Sequence, residues 1–478
     1  MLLTSDTGLA NGRPKGTSTG MRSYNLTTNS ALSSWWAAVG GRPDDVRVEC
    51  AGDGDLPSAF RVTDFAAAAI GAAGAAVAEL IARRNGTPPP VSVDRRLASM
   101  WFGFSLRPQG WQLPPLWDPI AGDYAAADGW IRLHTNAPHH RAVALAVLDV
   151  PFEKAAVTAA VSRWNADALE TAIVDGGGCA ATMRSVEAWR AHPQGTAVAG
   201  EPLVHREVHA PGAPPTWKLE PERPLAGIRV LDLTRILAGP VGTRFLAGFG
   251  ADVLRIDPPA WDEAALAPEV TLGKRCARLD LRTREGIATF EELLAQADVL
   301  VHGYRPGALD ALGLSAQRRR SIRPELVDVS LDAYGWSGAW HARRGFDSLV
   351  QMSSGIAAAG MRRFERDKPF PLPVQALDQA AGYLIAATAI KGLTTRIESG
   401  SGTTARTSLA RVAHELIDLP PRESAERLEP ETPADRSADI EATPWGPAHR
   451  LRAPLTIAGT PLRWDHPAAA LGSSPPSW

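Results

Sequence analysis

Cysteine is scarce in this chain and scattered: Cys50, Cys179 and Cys276 are the three among 478 residues. An odd number with no C-x-x-C spacing argues against a disulfide framework or a closed structural zinc site, and fits a reducing compartment. Net charge is equally slight, at −2. Neither a nucleic-acid footprint nor one for an acidic membrane surface is present, so an anionic ligand must be held by a local site. Long hydrophobic runs are missing too. The most apolar stretch, residues 65–81, is mostly alanine with Glu79 inside it, and reads as too short and too weakly apolar to span a bilayer. Residues 1–30 are rich in Ser, Thr, Gly and Asn and lack a signal-peptide core, so they read as a disordered leader. Ser353 and Ser354 have no G-x-S-x-G context, which gives no support to a serine hydrolase. The expected location is the cytoplasm, with no nucleic-acid and no membrane partner.

What is present divides the chain. A Pro-rich linker at 211–223 and a polar stretch at 420–442, expected as an exposed loop, separate richer segments. After the linker, short apolar runs alternate with helical ones. Strands are expected at 228–233, 252–256, 278–281, 298–301 and 326–330. A helix should open near Pro240 and end near Gly248, and another should span 284–296. Such alternation implies an α/β fold with a parallel, Rossmann-like sheet in residues 224–478. Residues 123–210 read as a smaller α+β domain, with a strand at 129–134 and helices at 140–148, 153–164 and 166–175. Residues 31–122 read as a mainly helical segment.

An internal repeat links the two ends of the chain. Asp64 and Asp378 each open a long alanine-rich helix that closes on a glycine turn, Asn85-Gly86 and Gly400-Ser-Gly402. The spacing from Asp64 to Asp94 equals that from Asp378 to Ser408. By residue type alone, both aspartates read as helix N-caps. Asp64 has no run of strands before it, so it reads as a cap or a relic of a site. His134, His139 and His140 cluster without helical pairing or a fourth ligand, so no metal site is assigned. Trp35-Trp36 and Trp101-Phe102 read as packing residues.

Several ordered motifs carry a family resemblance. Pro224-Leu-Ala-Gly-Ile-Arg-Val-Leu-Asp-Leu-Thr-Arg-Ile-Leu-Ala-Gly-Pro240 resembles the opening of class III CoA-transferases, the family of formyl-CoA transferase, carnitine CoA-transferase and α-methylacyl-CoA racemase. Residues 250–257, 273–281, 298–307, 345–351 and 353–355 continue the likeness in order, and 454–463 resembles the closing strand. The resemblance implies transfer of coenzyme A from an acyl-CoA to a carboxylic acid, with Asp378 as the nucleophile that forms a mixed anhydride. It implies coenzyme A contacts at Arg235, Ile236, Leu237, Ala238, Lys274, Arg275, Gly303, Tyr304, Arg305, Phe346 and Asp347. Coenzyme A is then substrate, and no permanently bound cofactor is expected. The glycine-containing stretch 353–360 is expected to offer oxyanion donors. A homodimer is expected, interlocked as is typical of the family, although the rearranged order leaves an ordinary dimer or a self-complete monomer open.

Departures from the family pattern narrow the chemistry. Phe346 stands where the racemase branch has a His base, so α-proton abstraction is disfavoured. Pro258 and Ala311 stand where formyl-CoA transferase has arginines that contact coenzyme A. The small-domain-like segment precedes the large domain, and the first half resembles the back half of a standard chain. An acyl-CoA isomerase, racemase or lyase on the same scaffold, and a catalytically degenerate CoA-binding protein, remain as alternatives.

Overall fold

The computed structural model describes residues 27–42, 44–212, 214–215, 217–420 and 426–478, so most of the expected leader lies outside the described residues. Residues 27–30 already belong to a helix, Thr27–Ala38.

The largest sheet has seven strands. From one edge they run Lys274–Arg278, Asp252–Asp257, Arg229–Leu233, Val299–His302, Val327–Asp332 and Thr403–Ser408, all parallel, with His205–Val208 antiparallel at the far edge. The α/β expectation therefore holds. Among the parallel strands the chain starts at the inner strand Arg229–Leu233, moves outward twice, then returns to its other side at Val299–His302. This reversal leaves a crevice beyond the strand ends, the place where open α/β sheets bind ligands. Alternation along the strands feeds two cores. Val299 and Val301 face the helices Ala238–Gly248 and Ala376–Ser399, while Leu300 and Leu231 face Phe290 on the helix Arg284–Leu294.

Pro240 lies in the first turn of Ala238–Gly248, as its fixed φ and missing N–H favour. One strand sits earlier than expected: 274–278 pairs with 253–257, and 279–281 lies beyond it. The stretch 436–442 is not an exposed loop. Arg436–Thr443 pairs with Gly446–Leu451, which pairs in turn with Leu106–Pro108, while residues 421–425 lie outside the described residues.

The repeat is structural as well as sequential. The helices Val62–Asn85 and Ala376–Ser399 each have 24 residues. Each is preceded by a residue of near-identical backbone, Arg61 (φ −81°, ψ 60°) and Gln375 (φ −75°, ψ 65°). Each ends on a left-handed glycine, Gly86 (φ 78°) and Gly400 (φ 71°), a conformation that glycine adopts without steric cost. Each leads to a strand and a short helix, capped by Asp94 in one case and Ser408 in the other. Contrary to the sequence reading, a strand does precede Asp64: Val48–Ala51 runs parallel to Val91–Asp94, as Val327–Asp332 does to Thr403–Ser408. Each unit also receives one antiparallel strand from elsewhere in the chain, Leu455–Ile457 or His205–Val208.

The two long helices pack on each other, joined by the buried pair Lys391 Nζ–Glu79 at 2.6 Å. Val62–Asn85 is long and apolar enough to cross a membrane, yet 94% of its most apolar window is buried inside the protein. Trp35 meets Phe65 edge-on at 5.1 Å, so this tryptophan is indeed a packing residue.

Residues 122–182 build a three-stranded antiparallel sheet, Gly122–Ala125, Trp130–Leu133 and Ala180–Thr182. Ile131 and Leu133 face its own apolar cluster with the helices Pro138–Leu148, Lys154–Val161 and Ala166–Asp175. Trp130, by alternation on the opposite face, packs with Phe346, Leu349 and Met352 at the helix Asp347–Ser353.

Candidate active site

Asp378 is the third residue of its helix rather than the N-cap, which is Gln375. The cap's work is done from outside. Asp347 accepts the backbone N–H groups of Leu377 and Asp378 at 2.9 and 3.0 Å, and the Gln351 side-chain amide at 2.5 Å. Gln351 in turn accepts the Leu372 N–H at 2.7 Å. Asp347 and Gln351 lie four apart on one helix face, a spacing that lets their side chains meet. The segment Gly345-Phe-Asp-Ser-Leu-Val-Gln351 therefore anchors the start of the Asp378 helix. Its Asp–Gln spacing is the sequence signal for this role, which the motif reading alone missed. Asp347 is 1% exposed, so it positions backbone and is not a surface contact for coenzyme A.

The Asp378 carboxyl is 7% exposed and has no hydrogen bond or ion pair among the described residues. Burial, with the neighbouring Asp347 charge, holds it well above the usual carboxylate range. Asp347 is itself pushed up to about 6 by burial, partly offset by its hydrogen bonds and by Arg132. Asp347 accepts three N–H groups and so keeps the charge of the pair, while Asp378 keeps the proton.

Asp64 stands at the same place in the repeat and is treated in the opposite way. Its carboxylate meets Arg95 at 2.5 Å and Arg61 Nε at 2.6 Å, and its side chain is 1% exposed. It is neither a cap nor an available nucleophile. Arg61 corresponds to Gln375, and Arg95 corresponds to Leu409, so both cations are absent on the Asp378 side.

The sheet crevice lies one helical turn away. A Cβ on Gly382 would come 2.5 Å from the Ala238 carbonyl oxygen, and one on Gly242 would come 2.6 Å from that of Gly382. Glycine at both positions lets the Ala238–Gly248 helix, with the loop 234–237 at its head, approach the Asp378 helix closely. That loop is held from below: Asp232 accepts from Thr234 N at 2.9 Å, and Glu263 accepts from Ile236 N at 2.9 Å. Ile236 has φ +67°, a left-handed conformation that a β-branched residue seldom adopts and that the loop contacts enforce. Arg235 reaches across the crevice to the Tyr304 hydroxyl at 2.9 Å and lies over the Trp261 ring. Gly303 and Arg305 are exposed beside it, whereas Leu237 and Ala238 are buried.

Other expected contacts are displaced. Lys274 is 1% exposed, its Nζ held 2.9 Å from Asp232 and 2.9 Å from the Pro240 carbonyl, so it braces the loop from inside and does not face a phosphate. Arg275 is clamped by Asp252 at 2.9 Å on the outermost strand and lies over Trp478, away from the crevice. The stretch 353–360 is no open glycine loop. It joins the helices Asp347–Ser353 and Ile356–Arg363 through Gly355, whose open side is filled by the Val186 backbone. Phe346 is half-buried and stacks on His134 at 3.8 Å, and burial pushes that histidine down to about 3. No group of metal ligands occurs among the described residues.

Known proteins resemble this chain mainly in its second half. Residues 225–445 match the profile described as "CoA-transferase family III". Over 207 residues the chain is 31% identical to "Probable fatty acyl-CoA transferase Rv3272" of Mycobacterium tuberculosis, covering 40% of this chain and 52% of that protein. It is 30% identical over 193 residues to human succinyl-CoA:glutarate CoA-transferase, covering 38% and 44%. A crystal structure of Rv3272 aligns with a TM-score of 0.38 at 32% identity, over 40% of this chain and 54% of that one. The chain spans about half the length of the curated relatives it matches.

Proposed function

We propose that this chain, whose residues 225–445 match the class III CoA-transferase family, moves coenzyme A from an acyl-CoA to a carboxylic acid through Asp378. The supporting observation is the contrast within the repeat: Asp64 is neutralised by two arginines, and Asp378, in the same backbone setting, is left without a cation. An ion-paired carboxylate is a poor nucleophile. A buried one without a partner is reactive once ionised.

The steps follow from the carboxylate. Ionised Asp378 attacks the thioester carbonyl, the C–S bond breaks, and coenzyme A leaves as thiolate. The product is a mixed anhydride between the donor acyl group and Asp378. The acceptor carboxylate attacks the aspartyl carbonyl carbon and displaces the donor acid. The retained thiolate then attacks the new acyl carbon, forming the product thioester and freeing Asp378. Relatives named as transferring coenzyme A from succinyl-CoA or acetyl-CoA support this class of reaction. An α-proton shuttle finds less support, since Phe346 has no titratable group and His134 beside it is held neutral.

The decisive experiment incubates the protein with a panel of acyl-CoAs, traps with hydroxylamine or borohydride, and maps the modified peptide. An adduct on Asp378 that is absent in Asp378→Asn is the expected result. Full transferase turnover by Asp378→Ala would exclude this nucleophile. The pH profile gives a second readout. Asp378 must lose a proton that burial and Asp347 hold in place, so kcat/KM should rise with pH along a limb well above the usual carboxylate range. Asp347→Asn should move that limb downward.

A further inference from the structure

The two long helices enclose a second cavity at their C-terminal ends, of about 490 Å³, which the transfer chemistry does not use. Glu79 and Arg83 line it from the end of Val62–Asn85, and Lys391, Thr395 and Glu398 from the end of Ala376–Ser399. Along that helix Thr395 lies about 25 Å from Asp378. The turn after Thr27–Ala38, with Arg42 and Asp45, and Arg206 on the edge strand complete the lining.

The floor is neutralised and the mouth is not. Lys391 Nζ meets Glu79 at 2.6 Å, and Arg83 meets Glu398 at 2.7 Å. Arg206 donates to the Thr395 hydroxyl, and a Cβ on Gly40 would come 3.2 Å from its Nη1, so bonded geometry holds this guanidinium at the cavity. The Glu398 and Glu79 charges reach Arg206, but both carboxylates are engaged by Arg83 and Lys391, and Arg206 forms no ion pair among the described residues. Arg42 is fixed through its backbone. Its N–H donates to Asp45 at 2.9 Å, and its carbonyl accepts from Trp36 Nε1 at 2.8 Å. The Trp36 ring in turn lies 5.0 Å from Lys391 Nζ. The Arg42 side chain is exposed and also has no ion pair among the described residues.

We propose that this cavity is a binding site for a small dicarboxylic acid, held at the mouth by Arg206 and Arg42 and resting on the Lys391–Glu79 pair. A guanidinium presents paired N–H groups that match a carboxylate, and two guanidinium groups from different segments match two carboxylates. A phosphate suits the place less well. Phosphates are gripped by free backbone N–H groups at helix N-termini, whereas two helix C-termini, with their negative dipole ends, face this cavity. The turn N–H groups beside it are spent, Gly40 on Ala37 and Gly86 on Ala82. The occupant would touch both repeat units at once and stabilise their contact by mass action. The site is independent of the aspartyl mechanism above.

Thermal unfolding and calorimetric titration of the full-length protein with sodium succinate test the site, with acetate, glycerol 3-phosphate and sodium chloride at matched ionic strength alongside. Succinate should raise Tm above the chloride control and bind at least about tenfold more tightly than acetate. Arg206→Gln should weaken succinate about tenfold and remove most of the Tm rise, and Arg42→Gln should weaken it about threefold. Both side chains are exposed, and circular dichroism checks that each variant is folded. Arg206→Lys should recover only part of the loss, since lysine lacks the planar fork. Asp378→Asn should bind succinate as the parent does. Unchanged affinity in both arginine variants, loss of binding in Asp378→Asn, tighter binding of glycerol 3-phosphate, or no Tm rise beyond chloride would each overturn the site.

Discussion

Asp64 and Asp378 show how one residue type, in one backbone setting, is turned to opposite ends by its neighbours. A carboxyl whose pKa is raised on folding favours the fold at low pH. That contribution is lost as pH climbs past the unfolded value toward the folded one. At neutral pH the Asp378 carboxyl therefore works against stability. Asp378→Asn removes a group reluctant to ionise, and should raise Tm by about 1–3 °C while abolishing transfer. Asp64→Asn takes one carboxylate from Arg95, whose side chain is 1% exposed and which keeps Asp55 at 3.1 Å, and also removes the partner of Arg61, and should cost about 3 kcal/mol. Denaturant and thermal unfolding of the two variants side by side checks this. Equal destabilisation by both would show that the two aspartates are structurally equivalent.

Among the elements, the crossing of Ala238–Gly248 with Ala376–Ser399 sets where the crevice lies relative to the nucleophile. Gly382→Ala places a methyl 2.5 Å from the Ala238 carbonyl oxygen and 2.7 Å from Val241 Cβ. The helices must part, at about 1–3 kcal/mol of overpacking. The small displacement should lower kcat/KM at least about tenfold in a protein that remains folded, since misplacing reacting groups by about 1 Å is costly. Steady-state kinetics with a circular dichroism check reads both. Much of this layer was legible in the sequence. The strand and helix runs after Pro224, the equal spacing in the repeat and the helix opening near Pro240 all follow from local periodicity and turn chemistry. The site was less so. Lys274 looks like a phosphate ligand in a G-K-R string, but its strand points it inward to Asp232, and no local pattern reports that partner 42 residues away. Asp347 looked like a ligand contact for the same reason, since its true role is a capping bond to residues 30 and 31 positions on. The strands 205–208 and 436–443 pair with distant or edge partners, so their short polar runs carry little signal of their own.

On the scale of the whole molecule, the two repeat units are interdependent. His205–Val208 completes the sheet of the later unit, Leu455–Ile457 completes that of the earlier one, and Lys391–Glu79 ties their helices. Among the described residues, a cut at 217–223 severs no helix or strand and separates the two repeat units. Two fragments divided there should each fail to unfold cooperatively alone, and should recover cooperative unfolding and transfer when mixed, as size-exclusion chromatography and circular dichroism would show. Autonomous, fully cooperative folding of either fragment would contradict this interdependence.

The borrowed strand Leu455–Ile457 has a consequence for biosynthesis. Val91–Asp94 is made early, but its partner on that side emerges some 360 residues later. At ordinary elongation rates that is a delay of roughly 20–70 s. Throughout it, the ribosome carries an open β-edge flanked by an alanine-rich apolar helix, a surface prone to pairing with other nascent chains. Yield in the cell should therefore depend on translation speed and on chaperones that shield such edges, independently of how stable the finished protein is.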